Sequence, residues 1–353
     1  MSDILVLGGS RNLGHITAVH LLEAGHAVSV LNRGVTPDEL PPDVERIRAT
    51  RGDESFANAI KSRRFDLVLD MTTYNADDAR EGVGVFRDRT ERYVFVSSGQ
   101  VYLVRDAAQR PFVEESFAGA VMSAPPQERV SDYDSWKYGV DKRDAEEVFA
   151  AAWESEKFPV TTLRLPMVAS TRDHYGRIQG YFARLDDGSP ILVPDEHGLP
   201  IRHVYAPDVA RVIEALTHTT VGLGRAYNVS QERSLSLPAY FELLREVTGI
   251  SPNIVRAPRA RLEEMQLLPD CSSFSGAWMS ELDASRTKRE ILPPDFSFTD
   301  PAEYLPVVLH EYRERWIPQG KIPATYLQRD KEMSAAAVVS TLIANEWNRT
   351  NSR

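Results

Sequence analysis

Tyr138 and Lys142, four residues apart in Tyr138-Gly139-Val140-Asp141-Lys142, could together do proton chemistry. On a helix an i, i+4 pair shares one face, so the phenol and the ammonium are neighbours. A free tyrosine has a pKa of about 10 and is a poor base at neutral pH. A nearby positive charge stabilises the phenolate and brings it toward the working range. Tyr-x-x-x-Lys also arises by chance on exposed helices, so the pair needs company. It has it in Tyr93-Val94-Phe95-Val96-Ser97-Ser98-Gly99, an apolar run that ends in hydroxyls. Ser98 could hydrogen-bond the substrate oxygen that Tyr138 protonates or deprotonates, fixing it for reaction. Without partners, two serines after a strand would be ordinary turn chemistry.

The partner chemistry is written at the start of the chain. Gly8-Gly9-Ser10-Arg11-Asn12-Leu13-Gly14 follows the apolar run Ile4 to Leu7 and opens a helical pattern from His15 to Ala24. Such a loop lets a pyrophosphate rest on the free N–H groups of the helix start. A glycine cluster alone is weak, but here strand, loop, helix and the next strand, Ala27 to Leu31, come in the order a dinucleotide site requires. Gly8, Ser10, Arg11, Asn12, Leu13 and Gly14 are therefore candidate cofactor contacts. The positive ring of an oxidised nicotinamide would add to the field of Lys142 at Tyr138.

The second strand ends in Asn32-Arg33, where an NAD site commonly has a carboxylate for the ribose hydroxyls. Arg33 could grip a 2′-phosphate, with Arg11 approaching from the glycine loop. This predicts a preference for NADP(H), with NAD(H) possible through Asn32. Asp53 could accept from the adenine amino group or simply cap a helix. Thr72, in Met71-Thr72-Thr73-Tyr74, would line the cofactor ribose region.

These residues must be positioned by a parallel sheet. Short β-rich runs alternate with helical patterns up to Leu165: Ile4 to Leu7, Ala27 to Leu31, Glu45 to Ala49, Leu67 to Asp70, Tyr93 to Val96 and Val160 to Leu165. Most are continuous apolar runs, as strands covered on both faces require. The segment from Gln100 to Ser131, with Pro111, Pro125 and Pro126, reads as a long surface loop. Helical patterns follow over Trp136 to Glu156, Pro207 to Leu216, Leu237 to Thr248, Pro301 to Arg315 and Ala335 to Trp347, with a returning strand over Arg225 to Val229. The fold class expected is α/β: a doubly wound parallel sheet of Rossmann type with a smaller, discontinuous C-terminal substrate domain. The expected domains are 1–165 with 204–230 returning to it, 166–203 with 231–320, and a helical tail over 321–353.

Composition agrees. The chain has 353 residues, 42% hydrophobic and 26% charged, enough for a substantial core. Its formal net charge of −10 argues against nucleic acid as the main partner and leaves room for a small-molecule substrate. One cysteine, Cys271, excludes an internal disulfide and fits a reduced, cytoplasmic setting. Met1-Ser2-Asp3 has no basic leader, and no apolar stretch approaches the roughly 20 residues needed to span a bilayer.

Taken together, Gly8 to Gly14, Val96-Ser97-Ser98 with Val101-Tyr102, and Tyr138 with Lys142 resemble the extended short-chain dehydrogenase/reductase family of epimerases and dehydratases. Leu163-Arg164-Leu165-Pro166, the run from Ile201 to Ala210 and Ala226-Tyr227-Asn228-Val229 resemble its downstream signatures, so the likeness runs from about residue 3 to about residue 316. It implies that Ser98, Tyr138 and Lys142 carry catalysis, with Lys142 also holding the nicotinamide ribose. It also implies that Arg202 meets a substrate phosphate, and that the chain is an oxidoreductase or epimerase acting on a carbinol or carbonyl carbon of a sugar-like or nucleotide-sugar substrate. A homodimer packed through helices is the implied assembly. An alternative on the same scaffold is a non-catalytic dinucleotide sensor or RNA-binding protein.

Departures narrow this. Arg11 replaces the loop's middle glycine, as in a subgroup with a Gly-Gly-Ser/Thr-Arg loop. Met167-Val168-Ala169-Ser170-Thr171 stands where nucleotide-sugar enzymes usually have a Gly-Pro pair. Ser98-Gly99-Gln100 offers none of the acids a dehydratase uses. The eight histidines show no metal-binding spacing, so no metal is expected. The acidic pairs Asp186-Asp187 and Asp195-Glu196 read as solvated loop charge beside glycines.

Overall fold

The computed structural model describes residues 1–195, 200–268, 271, 274 and 278–351, with side chains in the last helix as far as residue 341. Glu196, His197 and Gly198 lie outside these residues. In chain order come β1 (Asp3–Leu7), α1 (Asn12–Glu23), β2 (Ala27–Asn32), β3 (Glu45–Arg48), α2 (Glu54–Ile60), β4 (Phe65–Asp70), α3 (Ala76–Phe86), β5 (Thr90–Ser98) and α4 (Gln100–Leu103). Then follow α5 (Val130–Glu156), β6 (Val160–Leu165), β7 (Val168–Ala169), α6 (Arg177–Asp187), β8 (Ile191–Pro194), β9 (Val204–Tyr205), α7 (Ala206–Leu216) and β10 (Arg225–Asn228). The chain closes with α8 (Leu237–Thr248), β11 (Ile254–Ala257), α9 (Arg259–Glu264), α10 (Ser285–Glu290), α11 (Pro301–Glu311) and α12 (Arg329–Asn351).

Two compact units divide the chain. The first comprises Met1–Arg172, Arg202–Glu232 and Ser280–Thr299; the second comprises Asp173–Ile201, Arg233–Met279 and Asp300–Arg353. The first unit is built on a seven-stranded sheet in the order β10-β6-β5-β4-β1-β2-β3, with every pairing parallel. Alternate residues of one strand serve two cores. Ile4 and Val6 pack into the layer holding α1 and α7, while Leu5 and Leu7 face the layer holding α3 and α5. That double burial is why β1 is an unbroken apolar run. The order reverses at β1, with β4 on one side and β2 on the other, leaving a crevice at the carboxyl ends where ligands bind in such sheets.

The second unit pairs β8 with β11 in parallel. Its core gathers Leu192, Ala257, Leu262, Leu267 and Cys271 against Ala335, Ala336 and Val339 of α12. Asp187 is exposed, as a solvated charge would be, yet it is paired and helical rather than a free loop charge. It ends α6 and receives Arg329 Nε at 2.7 Å, Arg329 Nη2 at 2.8 Å and the Tyr326 hydroxyl at 2.7 Å. Burial alone would raise its carboxyl, but these donors hold it below the usual carboxylate range.

The expected surface loop from Gln100 to Ser131 is also corrected. It holds α4, a 3-10 turn at Glu114–Phe117 and the first residues of α5. Val101, Tyr102 and Phe112 are buried with Leu282 in a small core of their own. The prolines masked this. Widely spaced apolar residues in an irregular stretch show no period, yet Val101, Tyr102 and Phe112 pack against Leu282 of the 280–299 segment.

Candidate active site

Lys142 is 3% exposed on α5, and its ammonium is strung between two strand ends. Nζ donates to the carbonyl of Thr73 just past β4, at 2.6 Å, and to that of Val96 on β5, at 3.0 Å. Burial draws its pKa down to about 8, against the raising influence of Asp70, Glu146 and Asp78. At neutral pH the group is therefore still mostly a cation. It lies 5.9 Å from the ring centre of Tyr138, which is 39% exposed, and 5.2 Å from that of Tyr74, which is 55% exposed. A buried cation beside a partly exposed tyrosine is the arrangement needed to stabilise a phenolate. Ser98 ends β5, partly buried, and its hydroxyl accepts from the N–H of Gln100 at 3.2 Å.

Gly139 makes this approach of α5 possible. A Cβ there would sit 2.6 Å from Val104 Cγ1 and 2.8 Å from the Gln100 carbonyl oxygen, so α5 could not lie so close to α4 with any larger residue. Sequence reading passed over Gly139. Its place against Gln100 and Val104 is visible only once α4 is seen.

A buried polar network underlies the lysine. Asp70, fully buried at the end of β4, accepts from Arg51 Nη2 at 2.7 Å, from the Thr72 N–H at 2.7 Å, from the Thr73 hydroxyl at 2.6 Å and from the Tyr93 hydroxyl. Burial would raise its carboxyl, but Arg51 and these donors keep it below its ordinary value. On the other side, Glu146 accepts from Ser97 at 2.5 Å and from Arg164 Nη2 at 2.5 Å. Neither carboxylate stands out in the sequence, because a lone acid in a strand or helix gives no sign of its partner.

The glycine loop forms a cradle. Arg11 stands at the N-cap of α1 and provides no side-chain cap, so the first N–H groups of that helix lack an internal acceptor. A Cβ on Gly14 would fall 2.8 Å from the backbone of Gly9, which explains the glycine where the helix meets the loop. Asn12 Oδ1 is buried without a hydrogen-bond partner among the described residues. Uncapped donors, close backbone approach and an orphaned acceptor together fit a pyrophosphate and its attached groups. Thr72 packs on this loop, its Cγ2 3.3 Å from where a Gly8 Cβ would be.

Asn32 braces the cradle: its Nδ2 donates to Ser10 Oγ at 2.9 Å, and its Oδ1 accepts from Gly34 N at 2.9 Å and from Arg48. Arg33 is exposed, and Arg11 reaches Thr36 Oγ1 at 2.9 Å. Arg48, from β3, is a guanidinium at this strand end that sequence reading missed. Asp53 caps α2, Oδ1 accepting from Ser55 N at 2.8 Å. Arg202 pairs with Glu281 at 3.5 Å and donates to the Leu282 carbonyl at 2.9 Å.

Two features lie apart from this edge. His26, Glu214 and His218 bring donor atoms within 4.8 Å of one another, a grouping invisible in their spacing. Hydrogen bonds already occupy it: His26 Nδ1 accepts from Ser2 N at 3.2 Å, which leaves its Nε2 protonated, and Glu214 bonds His20 at 2.7 Å. A cavity of about 650 Å³, lined by Ser2, Asp66, Arg92 and His218 among others, opens at the amino ends of the strands. Arg92 cannot serve a ligand there, since its guanidinium is spent on Thr161 and the carbonyls of Thr219 and Val221. No helix among the described residues is long and apolar enough to cross a membrane.

Comparison with known proteins adds four findings. The model of the NAD dependent epimerase/dehydratase family matches residues 4–230. A 2'-dehydrokanamycin reductase of Streptomyces kanamyceticus is 26% identical over 284 residues, covering 77% of this chain and 75% of that protein. The chloroplast stem-loop binding protein of 41 kDa b of Arabidopsis thaliana is 23% identical over 268 residues, covering 71% of this chain and 65% of its own length. Among solved structures, a UDP-glucose 4-epimerase of Thermotoga maritima superposes with a TM-score of 0.67 at 19% identity, over 88% of this chain and 98% of the other. At that identity the likeness is one of fold.

Proposed function

Because the chain belongs to the NAD dependent epimerase/dehydratase family, within the extended short-chain dehydrogenases/reductases, we propose that it is an NADP(H)-preferring reductase of a ring ketone on a sugar-like substrate. The observation that carries this reading is the buried Lys142 ammonium held beside the exposed Tyr138 phenol. The cradle of Gly8, Ser10, Arg11, Asn12, Leu13 and Gly14 would hold the dinucleotide, with Thr72 against its ribose region. Asn32 and Arg33 would take the adenosine ribose and its 2′-phosphate, and the second oxygen of Asp53 the adenine amino group. When bound, the reduced nicotinamide supplies the hydride.

The chain's own residues do the rest. The Ser98 hydroxyl donates to the carbonyl oxygen and holds it in line. Tyr138 gives that oxygen its proton as the carbon is reduced, and is reprotonated from solvent. Lys142 keeps the resulting phenolate within reach of neutral pH. Run in reverse, the same groups oxidise a carbinol; oxidation followed by return of the hydride to the other face would be epimerisation. Net reduction is favoured by the reductase among the relatives. Following reduced-cofactor absorbance over a panel of keto-sugars and aminoglycoside ketones tests it. Stoichiometric loss of absorbance is the expected result, and epimerised product with unchanged absorbance would replace reductase by epimerase.

Cofactor preference is separately testable. Arg33→Ala is expected to weaken NADP(H) by roughly 10- to 100-fold, matching a charged hydrogen bond of about 1.5–3 kcal/mol, and to leave NAD(H) unchanged. Calorimetry of both dinucleotides reads this, and tighter binding of NAD(H) by the parent would exclude it. A second reading, RNA binding, is favoured by the stem-loop binding relative. A formal charge of −10 opposes it, and a gel-shift titration with structured RNA decides.

A further inference from the structure

Lys142 hangs from two carbonyls, and each belongs to a strand end locked by a buried acid paired with an arginine. On the β5 side, Val96 is followed by Ser97, which donates to Glu146, itself paired with Arg164. On the β4 side the tie is more direct. Oδ1 of Asp70 accepts the N–H groups of Thr72, at 2.7 Å, and Thr73, at 3.1 Å, while Oδ2 accepts the Thr73 hydroxyl at 2.6 Å. Arg51 closes the ring, donating to Asp70 at 2.7 Å, to Thr73 Oγ1 at 3.0 Å and to the Asp78 carbonyl at 2.7 Å. Thr73 is thus held at its N–H and hydroxyl, and its carbonyl points the lysine.

We propose that Asp70, braced by Arg51, is a positioning residue for the active-site lysine: it fixes the Thr72–Thr73 turn whose carbonyl aims the Lys142 ammonium at the Tyr138 phenol. This rests on the Tyr138–Lys142 reading above. A buried ion pair is a poor way to gain stability, because desolvation offsets most of the attraction. A well-packed apolar pair would serve the core as well. What an apolar pair cannot do is accept two N–H groups and a hydroxyl of one turn at once. The charged and titratable groups around the ammonium are Asp70, Asp78 and Arg51 from the β4 side, Glu146 from its own helix, and the phenols of Tyr74 and Tyr138.

The test needs no substrate. With NADP⁺ bound, the tyrosinate difference absorbance is titrated against pH, and Tyr138→Phe identifies the component due to Tyr138. Asp70→Leu/Arg51→Met removes one charge of each sign; Asp70 acts on Lys142 more strongly than Arg51 does, and losing the stronger anion would by itself favour the phenolate, so a rise in the midpoint reports geometry. Its Tyr138 midpoint is expected to rise by about one pH unit, a tenfold weaker stabilisation of the phenolate. Asp70→Asn/Arg51→Met keeps an oxygen for the two N–H groups and should recover about half of that shift. A folded leucine variant that titrates like the parent overturns the proposal. Should the leucine variant not fold, the asparagine variant alone decides by the same criterion. A parent with no Tyr138-dependent titration removes the Tyr138–Lys142 reading as well, so the two failures are distinct.

Discussion

Tyr138→Phe is expected to bind the dinucleotide as the parent does and to turn substrate over about 10²- to 10⁴-fold more slowly, the range that a positioned general acid supplies. The substitution removes one oxygen from a side chain that is 39% exposed, so neither packing nor the helix should change. Lys142 keeps both of its carbonyl partners, Thr73 and Val96, because neither bond involves the phenol. The loss should therefore fall on kcat, with cofactor affinity and thermal midpoint held. Single-turnover kinetics with saturating reduced cofactor, alongside cofactor titration by fluorescence, separates these quantities. A phenylalanine enzyme within threefold of the parent would deny Tyr138 the proton, and with it the proposed mechanism.

Arg164→Met should be the most damaging single change to the fold, costing about 3–5 kcal/mol, as expected when one member of a buried ion pair is removed. Arg164 and Glu146 are 5% and 6% exposed, and the arginine contacts the carboxylate through Nε at 3.0 Å and Nη2 at 2.5 Å. Its Nη1 also donates to the Tyr102 hydroxyl at 2.7 Å and the Glu114 carbonyl at 3.0 Å. Methionine satisfies none of these and leaves a carboxylate in the core with Ser97 as its remaining donor. Arg164→Met/Glu146→Leu should recover most of the loss, since two apolar groups need no partner. Urea unfolding of the two single variants and the double variant measures the coupling. A single-variant cost below about 1 kcal/mol would mean that water or a rearranged side chain reaches Glu146.

The site was legible to the extent that it was local. Tyr138 and Lys142 declare themselves by a spacing of four on one helix, and the glycine loop by its place between β1 and α1. Asp70 and Glu146 were not legible, because a carboxylate acquires its role only from an arginine far away along the chain. Arg51 is 19 residues from Asp70, and Arg164 is 18 from Glu146. Arg48 was missed for the same reason: it reaches Asn32 because β3 lies beside β2. The error at Gln100 to Ser131 was of another kind. Its prolines are real breaks in periodicity, but a residue such as Phe112 can be buried by partners that do not repeat.

The amino-acid order alone determined the parallel strands, the glycine loop and the spacing of the phenol and the ammonium. These depend on side-chain period, backbone freedom and helical pitch, all of which act over a few residues. Tertiary structure decided which acids and arginines meet, how far Lys142 is withdrawn from water, and which backbone carbonyls aim it. Burial and Coulomb attraction depend on distance in space, and only the closed sheet brings the ends of β4 and β5 to the same ammonium.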